Sequence, residues 1–393
     1  MIWPRRKVLL PLFFYLVSAF ARVSESSEWS VESTITAQEL VNDNLLMTSG
    51  PHQTVWDSMV SPAVKFGLDK ENFGLNGNFA LTTNYYAGEE QLNTTDQSYN
   101  VLTRIDRTEQ ESWTLQGSYL VDSTLENELM TTGVVLQRTQ RNNGSASVSL
   151  KRNLRENTDL QLSYQHISVN YADSQASLSN YNVDSGTTGI THQLTEKNQL
   201  NENLSYSLYR IPDQNYSSWN GAIQVGTIYS FSERLKGTFS GGFNQTGSSL
   251  NSLGQDIRQL NSGWVLNGEL EGQTELTILH GGYSREVQIS GGGSLVQVNH
   301  LFMDTNEKLT ERMSISLGAD IFMTLPFREE LTSLKSNYGQ VRGGLTWKWT
   351  ENWELGAGYN YSILKNEANT KNIGANIAYL KMTYNIPKWS LSR

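Results

Sequence analysis

The sequence predicts an all-β fold, a single closed antiparallel transmembrane β-barrel of about 18 strands. Three observations predict it. Polar and apolar residues alternate along many segments, and the polar connections between these segments are alternately short and long. A predicted export leader precedes the first segment. From Ser112 to Tyr119, for example, Trp, Leu, Gly and Tyr hold the odd positions, and Ser, Thr and Gln hold the even ones. Because strand side chains point to opposite faces at period two, one face is apolar and the other polar. Strands between lipid and a watery lumen carry this pattern.

The N-terminus has the three parts of a signal peptide. A basic stretch (Arg5, Arg6 and Lys7) is followed by the apolar run 8–20, and Ala19 and Ala21 supply the small residues that signal peptidase requires. A single membrane anchor is the alternative, but it needs about 20 apolar residues, and this run is shorter and ends in a polar segment. We therefore expect cleavage after Ala21, export by the general secretory route, and two regions: a signal peptide (1–21) and a barrel domain (22–393).

The composition excludes several classes of protein and site. The chain has no cysteine, which rules out disulfides, thiolate metal sites and a lipoprotein anchor. With 30 basic and 39 acidic residues its net charge is −9, which argues against binding to nucleic acid. None of the five histidines stands in an H-E-x-x-H motif, so we expect no metal site and no cofactor.

Alternation and turn signals divide the chain into eighteen predicted strands. They are Trp29–Gln38, Val55–Leu68, Phe73–Tyr85, Ser98–Arg107, Ser112–Val121, Ala146–Asn153, Asp159–Tyr171, Tyr181–Leu194, Leu200–Arg210, Trp219–Phe231, Leu235–Gln245, Gly263–Glu271, Thr274–Glu286, Ser294–Asp304, Arg312–Met323, Tyr338–Trp349, Trp353–Leu364 and Ile373–Asn385. Sixteen strands fit equally well if a weak pair around Ala146 or Tyr181 is a loop. An even number returns both chain ends to the periplasm, and closure satisfies the backbone groups that lipid cannot.

The connections alternate in length, as they do in outer-membrane barrels with short periplasmic turns and longer extracellular loops. Turns of a few polar residues, such as Thr350-Glu351-Asn352, alternate with long polar stretches. The long stretches are predicted at Ala87 to Gln97, Asp122 to Asn143, Gly247 to Asn261 and Leu325 to Asn337.

Two features depart from a regular barrel. Pro62 lies inside a predicted strand, where its missing N–H breaks one rung of the ladder unless it sits at a bulge. The last predicted strand is followed by a tail, Ile386 to Arg393, although many outer-membrane proteins end on a strand with a terminal aromatic residue. Trp389 supplies an aromatic residue within this tail.

Aromatic residues recur near the ends of the predicted strands, mostly on the apolar parity. Bands of aromatic residues mark both membrane interfaces of outer-membrane barrels. The alternatives are carbohydrate-stacking platforms and ordinary core aromatics. The interface candidates are Trp29, Trp113, Trp219, Phe231, Trp347, Trp349 and Trp353.

Charged residues on the opposite parity are candidates for lining the lumen. Such charges select solutes in wide barrels, or they only form salt bridges that stabilise the wall. The sequence does not distinguish these two roles. The candidates are Asp57, Lys65, Arg104, Asp106, Lys236, Glu269, Asp320, Arg342, Lys348 and Glu354.

One arrangement of residues is compatible with catalysis. His166, Ser168 and Asn180 echo the H-x-S pattern plus an amide or acid found in outer-membrane acyl hydrolases, in which histidine activates serine for ester cleavage. Such triplets are frequent in a chain rich in Ser and Asn, and no wider motif surrounds this one. We expect no enzyme and keep lipid-ester hydrolysis as a minor alternative.

Short motifs in the N-terminal half also suggest a family. They are Asn42-Asp43-Asn44, Ser61-Pro62, Tyr85-Tyr86, Asp122-Ser123-Thr124-Leu125 and Gly133. On these motifs the chain resembles outer-membrane β-barrel proteins associated with the PEP-CTERM/exosortase exopolysaccharide system. The resemblance implies an outer-membrane location and a tie to export or assembly of surface polysaccharide, and it brings no catalytic residues.

These observations lead to two expected functions. The first is a non-enzymatic channel, or a component of polysaccharide export, in the outer membrane of a Gram-negative cell. The second is a structural or assembly barrel with a closed lumen that binds a partner through its loops. The expected partners are outer-membrane lipid, the barrel assembly machinery, and polysaccharide or export-system proteins.

Overall fold

The computed structural model describes residues 27–124, 138–172, 178–214, 216–252, 255–290, 294–327, 335–366 and 372–392. The predicted signal peptide, with Ala19 and Ala21, lies outside these residues, as do Leu125 and Gly133. Within them, no helix has the length and the apolar character needed to cross a membrane.

All eighteen predicted strands are present, and most are longer than predicted. They are β1 (Glu28–Asn42), β2 (Val55–Lys70), β3 (Phe73–Ala87), β4 (Thr94–Thr108), β5 (Glu111–Ser123), β6 (Gln140–Arg155), β7 (Thr158–Tyr171), β8 (Tyr181–Thr195), β9 (Asn198–Ile211), β10 (Tyr216–Ser232), β11 (Leu235–Ser252), β12 (Gln255–Gln273), β13 (Thr277–Ile289), β14 (Leu295–Lys308), β15 (Met313–Pro326), β16 (Ser336–Lys348), β17 (Trp353–Asn366) and β18 (Ile373–Ser392). Two short 3₁₀ helices, Glu90–Leu92 and Pro212–Gln214, lie in connections.

The strands form one closed antiparallel barrel. Each strand pairs with its neighbours in sequence, and β1 also pairs with β18, from Glu28 opposite Ser392 to Asn42 opposite Ile377. The weak segments around Ala146 and Tyr181 are strands β6 and β8, so the count is eighteen and not sixteen. Closure leaves no strand without two neighbours, which removes the exposed edges that promote aggregation.

The two faces of the sheet differ as the alternation predicts. On β15, Leu317, Ile321 and Met323 are exposed, whereas Asp320 and Thr324, on the opposite parity, are buried. In a closed barrel one face lines the lumen and the other faces outward. The exposed apolar face is the outer face, and the polar face lines the lumen.

Connection lengths define two ends of the barrel. The turn end carries the short connections, such as 71–72 and 109–110, and the loop end carries longer ones, such as 43–54. One predicted loop is wrong: Gly247 to Asn261 is almost entirely strand, because β11 continues to Ser252 and β12 begins at Gln255. This stretch lacks alternation because Leu260 is the only large apolar residue on its outer parity.

The predicted C-terminal tail is also strand, since β18 continues to Ser392. Ser33 is opposite Ile386, but Val31 is opposite Trp389, so β18 contains one extra residue at this point. Pro387 lies in this bulge, where a missing N–H is tolerated. The bulge reverses the parity of the outward residues, which hides the strand from a search for alternation.

Pro62 breaks one rung, as predicted, and it does so without a bulge. The β2–β3 register passes from Val60 opposite Thr83 to Ala63 opposite Ala80 without a shift, and the two intervening pairs are missing. The hydroxyls of Ser61 and Thr82, 2.9 Å apart, bridge this gap.

The loop-end parts of β13 and β14, residues 286–289 and 295–298, separate from β12 and fold toward the lumen, while β14 stays paired with β15 up to Val296 opposite Pro326; we call them the inserted hairpin. The four consecutive residues Leu295, Val296, Gln297 and Val298 are only 7%, 0%, 8% and 1% exposed. A strand of the wall would leave every second residue open to the outside. This segment is therefore covered on both of its faces.

Two apolar clusters cover the inserted hairpin. Val296 and Val298 belong to the first, which also contains Phe322, Tyr338, Leu364 and Ile373 of β15–β18. Leu295 belongs to the second, with Val169, Tyr171, Leu178, Tyr181, Val183, Tyr209 and Ile211 of the β7–β9 region. Strands β7–β9 are not neighbours of β14 in the sheet. The inserted hairpin therefore spans the lumen near the loop end and contacts both sides of it.

Candidate functional site

The strand register puts all ten predicted lumen residues on the inner face. Asp320 is opposite Phe302 and Gln340, for example, and Lys348 is opposite Glu354. Their role in selecting a solute stays a prediction. The structure nevertheless groups some of them closely and keeps others apart.

Arg342 is the centre of the largest ionic group in the described lumen. Its guanidinium donates to Asp304 at 2.6 Å and also binds Asp320. Asp320 is almost fully buried and accepts a further contact from the imidazole of His300 at 2.9 Å. These four side chains come from three adjacent strands, β14, β15 and β16, and they lie directly below the first apolar cluster.

Gly318 makes this arrangement possible. It stands on β15 between Asp304 on one neighbouring strand and Arg342 on the other. A Cβ at this position would lie 2.5 Å from Nε of Arg342 and 2.7 Å from Oδ1 of Asp304. The arginine therefore crosses a whole strand to reach its carboxylate only because residue 318 has no side chain.

An aromatic strip runs beside the ionic group, from the first apolar cluster into the lumen. His300 stacks on Phe322 with 4.0 Å between ring centroids, and Phe302 follows at 5.2 Å from His300. His280 continues the strip at 4.9 Å from Phe302. Phe322 is buried, whereas Phe302 and His280 are only partly buried, so the strip becomes accessible further along the lumen.

The other predicted lumen residues form smaller groups. Glu269 accepts a hydrogen bond from His280 at 2.5 Å, and Arg104 pairs with Asp106 at 3.0 Å on a single strand. The remaining ones are placed by register alone: Asp57 opposite Leu40, Lys65 opposite Glu32, Lys236 opposite Glu271, and Lys348 opposite Glu354. Some of the predicted lumen charges therefore form ion pairs within the wall, and a role of the others in selecting a solute stays a prediction.

Glu269, Glu271 and His280 also form a group that could hold a metal ion. One ligand atom from each residue lies within 4.8 Å of the others. From the sequence we expected no metal site, because no local motif contains the ligands, and these three residues come from two strands. The hydrogen bond between His280 and Glu269 already pairs two of the three groups.

The lumen wall from β6 to β11 has a different chemistry. Its inner face is mostly uncharged and polar, and hydroxyl pairs link adjacent strands, such as Ser185 with Ser207 at 2.9 Å. Asn244 of β11 donates to Asn220 of β10 at 3.1 Å. A wall composed mostly of hydroxyls and amides thus faces the charged and aromatic wall of β12–β16.

The predicted interface aromatics lie on the outer face or in the adjoining turn. Tyr206 and Trp219 stack at 6.2 Å, Trp353 contacts Tyr384 at 4.7 Å, and the indole of Trp113 donates to Glu111 at 3.0 Å. The other candidates are exposed: Trp29, Phe231, Trp347 and Trp349. Their depth in a membrane stays a prediction.

The acyl-hydrolase arrangement is not assembled. His166 pairs through Nδ1 with Asp184 at 2.8 Å, not with Ser168. Asn180 accepts a hydrogen bond from the backbone N–H of Tyr171 at 2.8 Å, which fixes the start of a strand. His166 and Ser168 share the outer face of β7, whose odd residues face the lumen, and they belong to a polar patch at the loop-end rim.

Several residues that shape the site were not predicted from the sequence. Asp304, His300 and Phe302 were not selected, although all three share the inner parity of β14. Also missed was the ion pair of Asp122 with Arg141, whose two hydrogen bonds of 2.9 and 3.0 Å are buried at the loop end. Parity alone could have found these residues, because a polar or aromatic side chain on the inner parity faces the lumen whether or not it is charged.

Comparisons with protein-family models and with curated proteins return no match for this chain. Solved structures with a similar fold include OccAB3 of Acinetobacter baumannii, at 11% identity and a TM-score of 0.48, covering 93% of this chain and all of that one. OpdK of Pseudomonas aeruginosa, in a complex with vanillate, gives 10% identity and a TM-score of 0.47 over 92% of this chain and 99% of that one. At these values no functional conclusion rests on the similarity.

Proposed function

We propose that this protein is a non-enzymatic channel of the bacterial outer membrane that passes small polar solutes. The observation that carries the proposal is the closed 18-stranded ring with an apolar outer face and a polar, charged inner face. Lipid can surround the outer face because closure satisfies the backbone hydrogen bonds within the ring. Barrels of sixteen or more strands are wide enough to hold an aqueous channel.

The predicted leader and the alternation of short and long connections support the same location. A leader of this type delivers the chain across the inner membrane, and assembly machinery of the outer membrane is the expected partner for insertion. The loop end would then face the outside of the cell, so the inserted hairpin would lie near the extracellular mouth.

A saccharide is the solute that we propose. The hydroxyl and amide wall of β6–β11 offers donors and acceptors to sugar hydroxyls, and the accessible ring of Phe302 offers an apolar surface to a pyranose face. The resemblance to exopolysaccharide-associated barrels extends this proposal to export of surface polysaccharide.

The inserted hairpin favours a second candidate function. It fills part of the mouth with two apolar clusters, as expected for a barrel with a closed lumen that acts as a scaffold. The two functions differ in conductance, because only an open lumen passes ions.

Single-channel recording in planar bilayers tests the proposal. We expect discrete conductance steps from the refolded chain Arg22 to Arg393, and partial block when neutral or acidic oligosaccharides are added. A barrel that inserts with heat-modifiable gel mobility but stays silent would contradict the channel and support the scaffold. Steps that no saccharide affects would retain the channel and reject saccharide as its solute.

Phe302→Ala locates the saccharide contact. We expect weaker block by oligosaccharide with an unchanged open conductance, because the ring lines the lumen without filling it. The matched control is Phe243→Ala, which removes a ring that is 74% exposed on the outer face. Equal block in the wild type and both variants would place the saccharide elsewhere in the lumen.

A further inference from the structure

Among the strand pairs that the structure describes, β12 and β13 share the shortest ladder, and we call this boundary the seam. β12 pairs with β11 along its length, from Gly272 opposite Leu235 to Gln255 opposite Ser252. With β13 it pairs only over Leu266–Gln273. The loop-end part of β12 thus lacks this partner, because β13 turns inward there as part of the inserted hairpin.

Side chains close the seam where the backbone ladder ends. Arg285, the last paired residue of β13, lies over the ring of Trp264 at 3.9 Å from its centroid. The same guanidinium donates to Gln297 at 2.7 Å and to Asn299 at 3.2 Å. Gln297 in turn donates to the backbone carbonyl of Trp264 at 3.4 Å. These contacts replace a ladder of strand hydrogen bonds with a few side-chain bonds, which open at a far lower cost.

These contacts of Arg285 with Trp264, Gln297 and Asn299, which we call the latch, leave a hydrogen-bond donor free for an anion. Among the described residues no carboxylate forms an ion pair with Arg285, and its Nε is buried without a hydrogen-bond partner. By register Arg285 is opposite Leu266 on the outer face, whereas Arg342 lines the lumen and binds two carboxylates. A buried guanidinium N–H that lacks an acceptor is costly, and an anionic group at the seam would satisfy it.

The surroundings of the seam are apolar on both sides of the wall. Leu260 and Trp264, on the outer face of β12 beyond the last rung, are 62% and 43% exposed. Inside, Val287, Ile289 and Leu295 of the inserted hairpin belong to the second apolar cluster. Leu260 and Trp264 therefore offer an apolar surface outside the seam, interrupted by Ser262, and the inserted hairpin offers one inside, beside Glu286.

We propose that the seam between β12 and β13 is a lateral portal between the lumen and the membrane, and that it passes a single-chain amphiphile with an anionic head group. The apolar chain lies against Leu260 and Trp264, and the head group binds Arg285. This portal is separate from the axial path for polar solutes, and each can exist without the other.

Photo-crosslinking tests the portal in lipid vesicles that contain the folded barrel. The probe is a long-chain carboxylate with a diazirine near the end of its chain, and mass spectrometry maps its adducts. We expect adducts on the outer face at Leu260 and also inside the barrel at Val287 and Leu295. Adducts confined to the outer face would mean ordinary lipid contact and would overturn the proposal.

A seam-locked variant makes the test specific. Val265 and Glu286 would be the next register partners if the ladder continued past Leu266 and Arg285, and the chain has no cysteine of its own. Oxidised V265C/E286C should lose the inner adducts, keep the outer ones, and recover the inner adducts on reduction. The matched control, S240C/N267C, joins true register partners of β11 and β12 and should keep both sets. If fully oxidised V265C/E286C still gives inner adducts, the probe does not enter the lumen through the seam.

Arg285→Ala tests the head-group contact. We expect about a tenfold loss of inner adducts for the carboxylate probe, the effect of one charge-assisted contact, and no loss for the matching neutral alcohol probe. Arg210→Ala removes an outer-face arginine beside the fully paired β9–β10 seam and should change neither result. Equal losses in the two variants would contradict a specific site. Gel mobility confirms folding in each case, and bilayer conductance of the same variants reports the axial channel separately.

Discussion

At the scale of single residues, a glycine decides how the largest charged group of the lumen is built. Side chains on adjacent strands usually pair with their direct neighbours. Arg342 instead reaches past β15 to Asp304, and the missing side chain of Gly318 leaves the space for it. A residue with no functional group thereby sets the charge pattern that a solute would meet.

Arg342→Ala should make the channel more selective for cations. The substitution removes the guanidinium that Asp304 and Asp320 share, and both carboxylates then face the lumen without it. Reversal potentials in a KCl gradient measure the change. Gly318→Ala should shift the potential in the same direction by less, because its Cβ displaces the arginine without removing it. Arg210→Ala, on the outer face, is the control, and a shift as large as that of Arg342→Ala would refute a lumen effect.

Pro62→Val should stabilise the barrel. The new N–H can complete the broken rung between β2 and β3, which is worth about 1 kcal/mol in the free energy of unfolding. Urea titration of the folded band on gels measures it. Pro62→Ala supplies the same N–H with a smaller side chain and should give most of the gain. No gain in either variant would mean that the rung stays open.

Parity predicted which charged residues face the lumen, but not which of them would meet. The predicted ten share the inner face by register, because alternation depends only on the sequence. Which lumen charges form ion pairs depends on the register between strands and on the space left at Gly318. Neither can be read from the sequence of one strand. His300 and Phe302 were missed because the search was limited to acidic and basic residues.

At the scale of elements, the inserted hairpin sets the width of the mouth. Val296→Asp should release it and raise single-channel conductance several-fold. A carboxylate at this fully buried position costs several kcal/mol without a partner, and the hairpin can avoid the cost by leaving the lumen. Planar bilayer recording measures the conductance.

Val296→Thr is the matched variant for this prediction, since it keeps the shape and adds only a hydroxyl. Its conductance should stay closer to that of the wild type. If Val296→Asp inserts normally and conducts as the wild type does, the hairpin does not limit the current.

Sequence analysis found every strand because each crosses the apolar belt, where one face must be apolar. It failed at the strand ends. Beyond the belt the outer face is polar, so β11 and β12 resembled a loop, and a bulge at Pro387 reversed the parity of β18. The inserted hairpin was also out of reach, because burial on both faces gives an apolar run that does not reveal which wall it contacts.

At the scale of the whole molecule, closure depends on the pairing of β1 with β18. Thr36 and Thr383 are register partners with hydroxyls 3.0 Å apart. T36C/T383C should oxidise readily and raise the free energy of unfolding by at most about 6 kcal/mol, the chain-entropy limit for so long a loop. Urea titration with and without reductant measures the gain.

A disulfide between two consecutive strands is the control. Ser118 and Ser145 are register partners of β5 and β6 with hydroxyls 2.7 Å apart, and S118C/S145C closes a much shorter loop. Its gain should be smaller by about 2 kcal/mol. Formation of the closure disulfide in low yield would contradict stable pairing of β1 with β18. A rise in the free energy of unfolding no larger than that from the control disulfide would contradict it as well.

The β1–β18 register also fixes the order of events during assembly. Glu28 pairs with Ser392, so β1, the first strand to be delivered, can complete its pairing only after β18 arrives. Every other rung forms between segments close in sequence, and only this one has to wait for nearly the full chain length. Until then β1 and the most recently added strand each have one unpaired edge. Unpaired backbone groups are energetically unfavourable in lipid, and in water they promote aggregation. The time for which β1 needs a temporary partner is therefore set by the arrival of the final segment.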